Sequence, residues 1–280
     1  MPESMTKFDW RDPLSLSDQL GSEEKLIQQT AAQFSSNELA KFLPIAFDAK
    51  GLSREGYKAI GEAGLFGVTL PEKYGGAGSS FISYGLIARE VERIDSGFRS
   101  ILSVQSSLVM YPIFKFGTTW QKQTYLKKLA SGELIGCFGL TEPEAGSDPA
   151  AMQTRAKKTS NGYILNGSKT WISNASIADI FIIWAKSEDE GDEIKGFIVE
   201  RQNKGIETSK INGKLSMQTA DTGSIYLTNV EVDESSILPD CTGLKGPFSC
   251  LNLARYGICW GVLGAAEDCW FRSYEYGIQR

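Results

Sequence analysis

The chain has 280 residues, 41% hydrophobic and 22% charged, the composition of a folded globular protein rather than a disordered one. Its net charge of −5 argues against a large basic face for nucleic acid. Histidine is absent, which excludes Ser-His-Asp and Cys-His catalysis and any histidine-containing zinc site, so proton chemistry must fall to carboxylates, Lys, Tyr, Cys or a bound cofactor.

In chain order, the first segment, MPESMTKFDWRDPLSLSDQL, lacks the apolar core of a secretion signal and is too acidic and Arg-poor for a transit peptide. Ser22-Glu-Glu-Lys opens a helix with Leu26, Ile27, Thr30 and Phe34 on one side. Tyr57, Ile60 and Gly64 stripe a second helix. After YGGAGSS, residues Tyr84, Ile87, Ala88 and Val91 repeat at three- and four-residue spacing, the mark of an amphipathic helix. Thr118 to Gln121 has capping-box form and precedes Leu126 and Leu129.

From about Leu134 the period changes. RAKKTSNGYILNGSKTWI carries Asn161-Gly162 between two short runs, a hairpin signal. IADIFIIWA, KGFIVE and GSIYLTNVEV follow, rich in β-branched and aromatic residues, and predict a β-domain of about seven strands ending near Asp240. Helical patterning returns at Gly246 and runs to Arg280, with Leu251, Ile258, Val262, Ala265 and Cys269 as an apolar face that one helix cannot bury by itself. The fold class expected is α+β: an all-α domain over 1–134, a β-barrel or sandwich domain over 135–240, and over 241–280 the start of a helical bundle. The most apolar run, Ile258 to Ala266, is about half the ~20 residues that cross a bilayer, so no membrane insertion is expected. The five cysteines (137, 241, 250, 259 and 269) have no CxxC spacing; three lie in the apolar C-terminal segment, where buried, reduced thiols of a cytosol-like compartment are expected.

The loop FGLTEPEAGSDPA, residues 138–150, gathers Glu142, Glu144 and Asp148 in one turn. The acids lack EF-hand spacing, and no metal site is expected. A catalytic carboxylate pair remains open, although acids crowded in a Pro- and Gly-bracketed turn are mostly solvated. Thr141, Gly146 and Ser147 suit a turn that offers amides and hydroxyls to a polar ligand. A plain connector is the reading that composition alone favours.

Two motifs carry a resemblance. Gly139 to Asp148, GLTEPEAGSD, resembles the first signature of the acyl-CoA dehydrogenase family, and Asn166 to Asn174, NGSKTWISN, resembles its second flavin-contacting segment. The order helices, β-domain, helices is also the family's. FDWRDPL near the start, DSGFRSILSVQSSLVMYPI at 95–113 and LNLARYGICWGVLGAAE at 251–267 are similar to the glutaryl-CoA dehydrogenase subclass.

The resemblance implies FAD as cofactor, an acyl-CoA substrate, an electron-transferring flavoprotein as acceptor and a homotetramer in the complete enzyme. The location implied is cytoplasmic in a bacterium, or the mitochondrial matrix in a eukaryote. It also implies α,β-dehydrogenation, with hydride leaving to the flavin; in the subclass, loss of the distal carboxylate follows, giving crotonyl-CoA and CO2. Phe138, Gly139, Leu140, Thr141, Gly146 and Ser147 would line flavin and CoA. Trp171 would pack on the isoalloxazine ring beside Ile172, and Ser173, often Thr in relatives, would bond near N5. Arg99, followed by Ser100, would hold the distal carboxylate and Glu92 would orient it if the helix is continuous, whereas spacing alone favours a surface pair between Asp95 and Arg99. Cys250, Leu251, Asn252, Leu253, Ala254, Arg255, Tyr256 and Gly257 match the acyl-CoA-contacting stretch, Leu253 standing where the subclass has Asn.

The subclass base, a Glu in Tyr-Glu-Gly-Thr, has no match here, and Ala254 occupies the position where some relatives carry their base. Arg280 matches the Arg that opens the FAD-contacting Arg-x-x-Phe-Gly segment. The expectation is the first two-thirds of such an enzyme, without its catalytic residue, inactive alone and binding FAD weakly if at all; the alternatives are an acyl-CoA dehydrogenase for a monocarboxylic acyl chain and a non-catalytic acyl-CoA- or partner-binding protein.

Overall fold

The computed structural model describes residue 12 and residues 14–280. FDWRDPL and the N-terminal segment without a targeting signal therefore lie mostly outside the described residues.

Among the described residues seven α-helices precede the sheet: α1 (Ser22–Asn37), α2 (Leu43–Ala49), α3 (Arg54–Glu62), α4 (Phe81–Glu92), α5 (Ser96–Ser103), α6 (Tyr111–Phe116) and α7 (Thr119–Ala130). Their starts follow side-chain chemistry. Ser80 Oγ accepts the Ser83 amide at 3.1 Å to open α4, and Thr118 and Gln121 form the expected reciprocal cap of α7 at 3.1 and 2.8 Å. α4 is buried almost all round, including Tyr84, Leu86, Ile87, Ala88 and Val91, because other helices cover it on several sides. Two expectations need correction. Leu26 and Thr30 lie on the solvent side of α1, whose inward face is Ile27, Ala31 and Phe34. Gly64 lies beyond α3 at φ +70°, where its missing Cβ lets the chain turn away.

α5 and α6 are joined by a π-helical segment, Val104–Met110, into one rod from Ser96 to Phe116. Gln105 in that segment is fully buried. Its Nε2 donates to the carbonyls of Leu129 and Leu134 at 2.9 and 2.7 Å, and its Oε1 accepts the Gly136 amide at 2.9 Å. One side chain thus ties the helical layer to the first strand and satisfies backbone groups that would otherwise be stranded.

The strands are β1 (Gly136–Gly139), β2 (Arg155–Lys158), β3 (Gly162–Ser173), β4 (Ile180–Ser187), β5 (Glu193–Glu200), β6 (Ile206–Lys210) and β7 (Thr222–Asp233). They form one seven-stranded sheet in the order β1-β4-β2-β3-β7-β6, with β5 on the other edge of β4. β1 and β2 run parallel to β4 along one edge; the remaining pairings are antiparallel. IFIIWA in β4 shows no polar alternation because both faces are covered. Ile180, Ile182 and Trp184 join the helical core, while Phe181, Ile183 and Ala185 join a second core within the curled sheet. Asn161-Gly162 turns β2 into β3, as the sequence predicts.

α8 (Lys245–Ile278) returns to pack on α4. Its buried stripe is small: Cys250, Ala254, Gly257, Gly261 and Gly264. Added Cβ atoms would lie 2.6 Å from the Tyr84 hydroxyl at Gly257 and 1.9 Å from the Arg89 carbonyl at Gly264, so the helices meet nearly backbone to backbone. The other face exposes Ile258, Val262, Leu263 and Trp270. Cys250 is buried as expected, but Cys259 and Cys269 are exposed, because the glycines rather than the larger residues face inward. No helix among the described residues is long and apolar enough to cross a membrane.

Candidate functional site

A cavity of about 370 Å³ opens where the loop after β1, the end of β3, the π-helical segment and α8 converge. That volume is in the range of small-molecule sites.

The loop contributes Phe138, Leu140, Thr141, Gly146 and Ser147. Glu142 and Ala145 exchange backbone hydrogen bonds at 3.1 and 3.2 Å, closing a turn with Pro143 and Glu144 exposed at its tip. The three acids have separate fates. Glu144 is solvated, Asp148 accepts the Ala150 amide at 3.1 Å, and Glu142 is buried rather than solvated. Glu142 Oε1 accepts Lys169 Nζ at 2.8 Å and the Thr154 amide and hydroxyl at 3.0 and 2.5 Å; Oε2 accepts the Gln153 amide at 2.5 Å. Burial pushes the carboxyl pKa up, but the Lys169 charge and these donors outweigh it and hold it below its ordinary value. Both carboxylate oxygens of Glu142 are engaged structurally and the other two acids are exposed, so the turn holds no carboxylate pair set up for proton transfer.

β3 contributes Trp171, Ile172 and Ser173. The β3–β7 register shifts between Lys169 and Ile172, and within that bulge Trp171 sits at φ +57° with 63% of its surface exposed. A left-handed conformation costs a non-glycine residue ~1–2 kcal/mol, and such strain concentrates where a side chain must be presented to a ligand. The next turn is firmly held: buried Asn174 accepts from the Tyr57 hydroxyl at 2.7 Å and donates to the Gly136 carbonyl at 2.9 Å.

α8 contributes Phe248, Leu251 and Arg255. Eight consecutive helical residues cannot face one cavity, and of 250–257 only Leu251 and Arg255, four apart, do so. Cys250 and Ala254 face the core, Leu253 packs against it, and Gly257 lies on Tyr84. Tyr256 stacks on Tyr84 at 6.5 Å, and Asn252 accepts from Arg255. Gly139 lies in β1 beneath the loop, and Arg280 stacks over Tyr276; both are outside the lining.

Val104, Leu108, Pro149 and Phe248 line the cavity without having been singled out in the sequence. Val104 opens the π-helical segment that follows α5, and within it Leu108, four residues on, also reaches the cavity.

Arg99, Ser100 and Glu92 lie outside the lining. Arg99 Nε donates to Glu92 Oε2 at 2.6 Å, with side chains 8% and 4% exposed, although the helix is interrupted between α4 and α5. Asp95 is not the partner of Arg99: it caps α5 through the Gly97 amide at 2.7 Å and accepts the Thr219 hydroxyl. Gly261 covers the pair, and a Cβ there would sit 2.1 Å from Glu92 Oε2. The rod and α8, which wall the cavity with Val104 and Leu251, continue side by side to Arg99 and Gly261.

The lining therefore combines a presented indole, an apolar wall and a polar rim of Thr141, Ser147 and Ser173 hydroxyls with one guanidinium. Those features fit a flat heteroaromatic ring with polar edges, carried on an anionic tail.

Family models for the acyl-CoA dehydrogenase N-terminal and middle domains match residues 21–133 and 137–230. An acyl-CoA dehydrogenase of Bacillus subtilis is 36% identical over 261 residues, covering 92% of this chain and 69% of that protein. The crystal structure of a glutaryl-CoA dehydrogenase from Mycobacterium smegmatis in complex with FADH2 superposes with a TM-score of 0.91 at 41% identity, covering 95% of this chain and 68% of that one. Butyryl-CoA dehydrogenase from Megasphaera elsdenii gives a TM-score of 0.87 at 33% identity, covering 93% and 70%. The chain thus spans about two-thirds of each of these proteins. It belongs to the acyl-CoA dehydrogenase family, oxidoreductases that act on CH–CH groups.

Proposed function

We propose that the cavity binds FAD and an acyl-CoA, and that the substrate is glutaryl-CoA, oxidised and decarboxylated to crotonyl-CoA and CO2 in the complete enzyme. An electron-transferring flavoprotein is the acceptor and a homotetramer the working assembly. Bound FAD supplies the hydride acceptor. This chain's residues bind and orient. The Trp171 indole offers a face to the ring system, Thr141 and Ser173 hydroxyls meet its polar edges, and Ser147 and Arg255 face the anionic parts of cofactor and thioester. Phe138, Leu140 and Leu251 exclude water from the reacting carbons.

The observation that carries the substrate assignment is Arg99. It is a largely buried guanidinium with a single side-chain hydrogen bond among the described residues, held between α5 and α8, the helices whose other ends wall the cavity. A buried cation whose terminal nitrogens remain to be matched is suited to a second carboxylate. Glutaryl-CoA dehydrogenases stand at 41% and 32% identity and a butyryl-CoA dehydrogenase at 33%, so the guanidinium and not overall identity carries the reading.

Calorimetric titration of the purified chain with glutaryl-CoA and butyryl-CoA, before and after Arg99→Ala, is the test. Selective weakening for glutaryl-CoA by tenfold or more is expected. Equal loss for both ligands, or none, refutes the carboxylate role.

A second reading rests on the lining itself, which holds no carboxylate among the described residues. On it, this polypeptide alone binds acyl-CoA without removing the α-proton. No turnover is expected with glutaryl-CoA and an artificial electron acceptor, and steady turnover by the purified chain refutes it.

A further inference from the structure

The two flavin-facing segments, the loop after β1 and the end of β3, are joined by a buried charge pair whose hydrogen bond to the lining goes to the Leu140 backbone carbonyl. We propose that Lys169, held by Glu142, is a positioning residue that fixes the Leu140–Thr141 peptide relative to Trp171 and thereby sets cofactor affinity. The proposal rests on the reading that the cavity takes FAD.

Three observations carry it. Lys169 Nζ donates to the Leu140 carbonyl at 3.2 Å as well as to Glu142 at 2.8 Å, with the lysine side chain fully buried. The Thr170 amide, on the neighbouring residue, donates to the Thr141 carbonyl at 2.9 Å. Both carbonyls are therefore drawn toward β3. Because the chain has no cis peptide among the described residues, the Thr141 N–H points opposite to the Leu140 carbonyl, away from buried Lys169. Finally, the contacts come from Lys169 at the edge of the bulge and Thr170 within it, next to Trp171 at positive φ, so moving Lys169 moves the indole as well.

The pair is also tightly packed. A Cβ at Gly139 would lie 3.2 Å from Lys169 Cγ, and one at Gly167 would lie 2.5 Å from the Thr154 hydroxyl that shares Glu142. Little slack remains for the lysine to find another position. Burial pulls its pKa down to about 8, while the Glu142 carboxylate resists that fall and keeps the ammonium charged at neutral pH. A neutral amine in its place would leave the Leu140 carbonyl with a weaker donor.

An ordinary structural ion pair would change stability only. The discriminating variant is the double substitution Glu142→Gln with Lys169→Met, which removes both charges together and so avoids a lone buried ion. Two measurements are made on the 280-residue chain. In the ligand-free protein, fluorine NMR of 5-fluorotryptophan reports Trp171, and the amide spectrum reports Thr141. FAD is then titrated in, reading its dissociation constant and the shape of its visible absorption band.

The proposal expects shifted Trp171 and Thr141 signals, FAD binding weakened at least tenfold per folded molecule, and a changed flavin band. Unmoved Trp171 and Thr141 signals overturn it whatever FAD does. Shifted signals with wild-type affinity and spectrum also overturn it, because the pair would then be structural only. If the unsubstituted chain takes no FAD, the flavin reading fails; the ligand-free signals then decide the coupling alone, shifted supporting it and unmoved refuting it.

Discussion

Glu142–Lys169 and Glu92–Arg99 are both buried ion pairs, one under the sheet's bulge and one between helices, yet they are built differently. Glu142 receives four donors and Lys169 reaches two acceptors, whereas Arg99 and Glu92 share a single hydrogen bond. A charge taken out of water must recover its lost hydration from neighbours. The first pair recovers it internally and so behaves as a fixed clamp. The second makes one hydrogen bond and, on the proposed reading, keeps the Arg99 terminal nitrogens for a substrate carboxylate. On that reading, saturation goes with a framework role and unspent donors with a binding one.

Lys169→Met alone should break this contrast most severely, because it strands Glu142 as a buried anion. A loss of about 3–5 kcal/mol in urea unfolding is expected, with much of it recovered in the Glu142→Gln double variant. Arg99→Met strands Glu92 in the same way, but with fewer contacts to lose, and should fall at the lower end, about 3 kcal/mol. If Arg99→Met proved the costlier of the two, the distinction between clamp and binding group would be reversed.

Gly261→Ala sharpens the comparison on the helical side. Its methyl meets the Glu92 carboxylate, so overpacking should cost about 1–3 kcal/mol and disturb glutaryl-CoA binding while leaving FAD affinity alone. The smallest effect is on the acid limb of stability. The Glu142 pKa is lower in the folded state than its ordinary value of 4.5, so its contribution is present above that value and is lost as pH falls through the folded one. Unfolding experiments at decreasing pH should show a shallower acid limb in Glu142→Gln than in the parent chain.

Local chemistry was the readable part of the sequence. The capping box at Thr118, the Asn161-Gly162 turn and the run IFIIWA each act within a few residues, and each appears as the structure has it. Faces were harder to read. In α1 the choice between Leu26 and Ile27 as the inward residue turns on one 100° step, and neighbouring helices decide it. In α8 apolar residues surround the axis, so hydrophobicity could not show the buried side; the four-three spacing of Cys250, Ala254, Gly257, Gly261 and Gly264 was the available signal. The π-helical segment is a matter of hydrogen-bond register, which leaves almost no trace in side-chain pattern.

The candidate site divides along the same line. The loop and strand residues Leu140, Thr141, Ser147, Trp171 and Ser173 meet at one cavity as the two motifs suggest. The Glu142–Lys169 pair spans 27 residues, and nothing local announces it. A carboxylate in a polar turn looks solvated until the strand that covers it is in place.

The return of α8 onto α4 also has a consequence for how the molecule comes into being. The helical layer is interrupted by an entire β-domain, so this contact closes a very long loop and belongs to the slow, late events of folding. During synthesis, the groove on α4 and the Glu92–Arg99 pair emerge well before the helix that covers them. Until Gly257, Gly261 and Gly264 dock, those charges remain hydrated and lend the nascent surface a polarity that an apolar groove would lack.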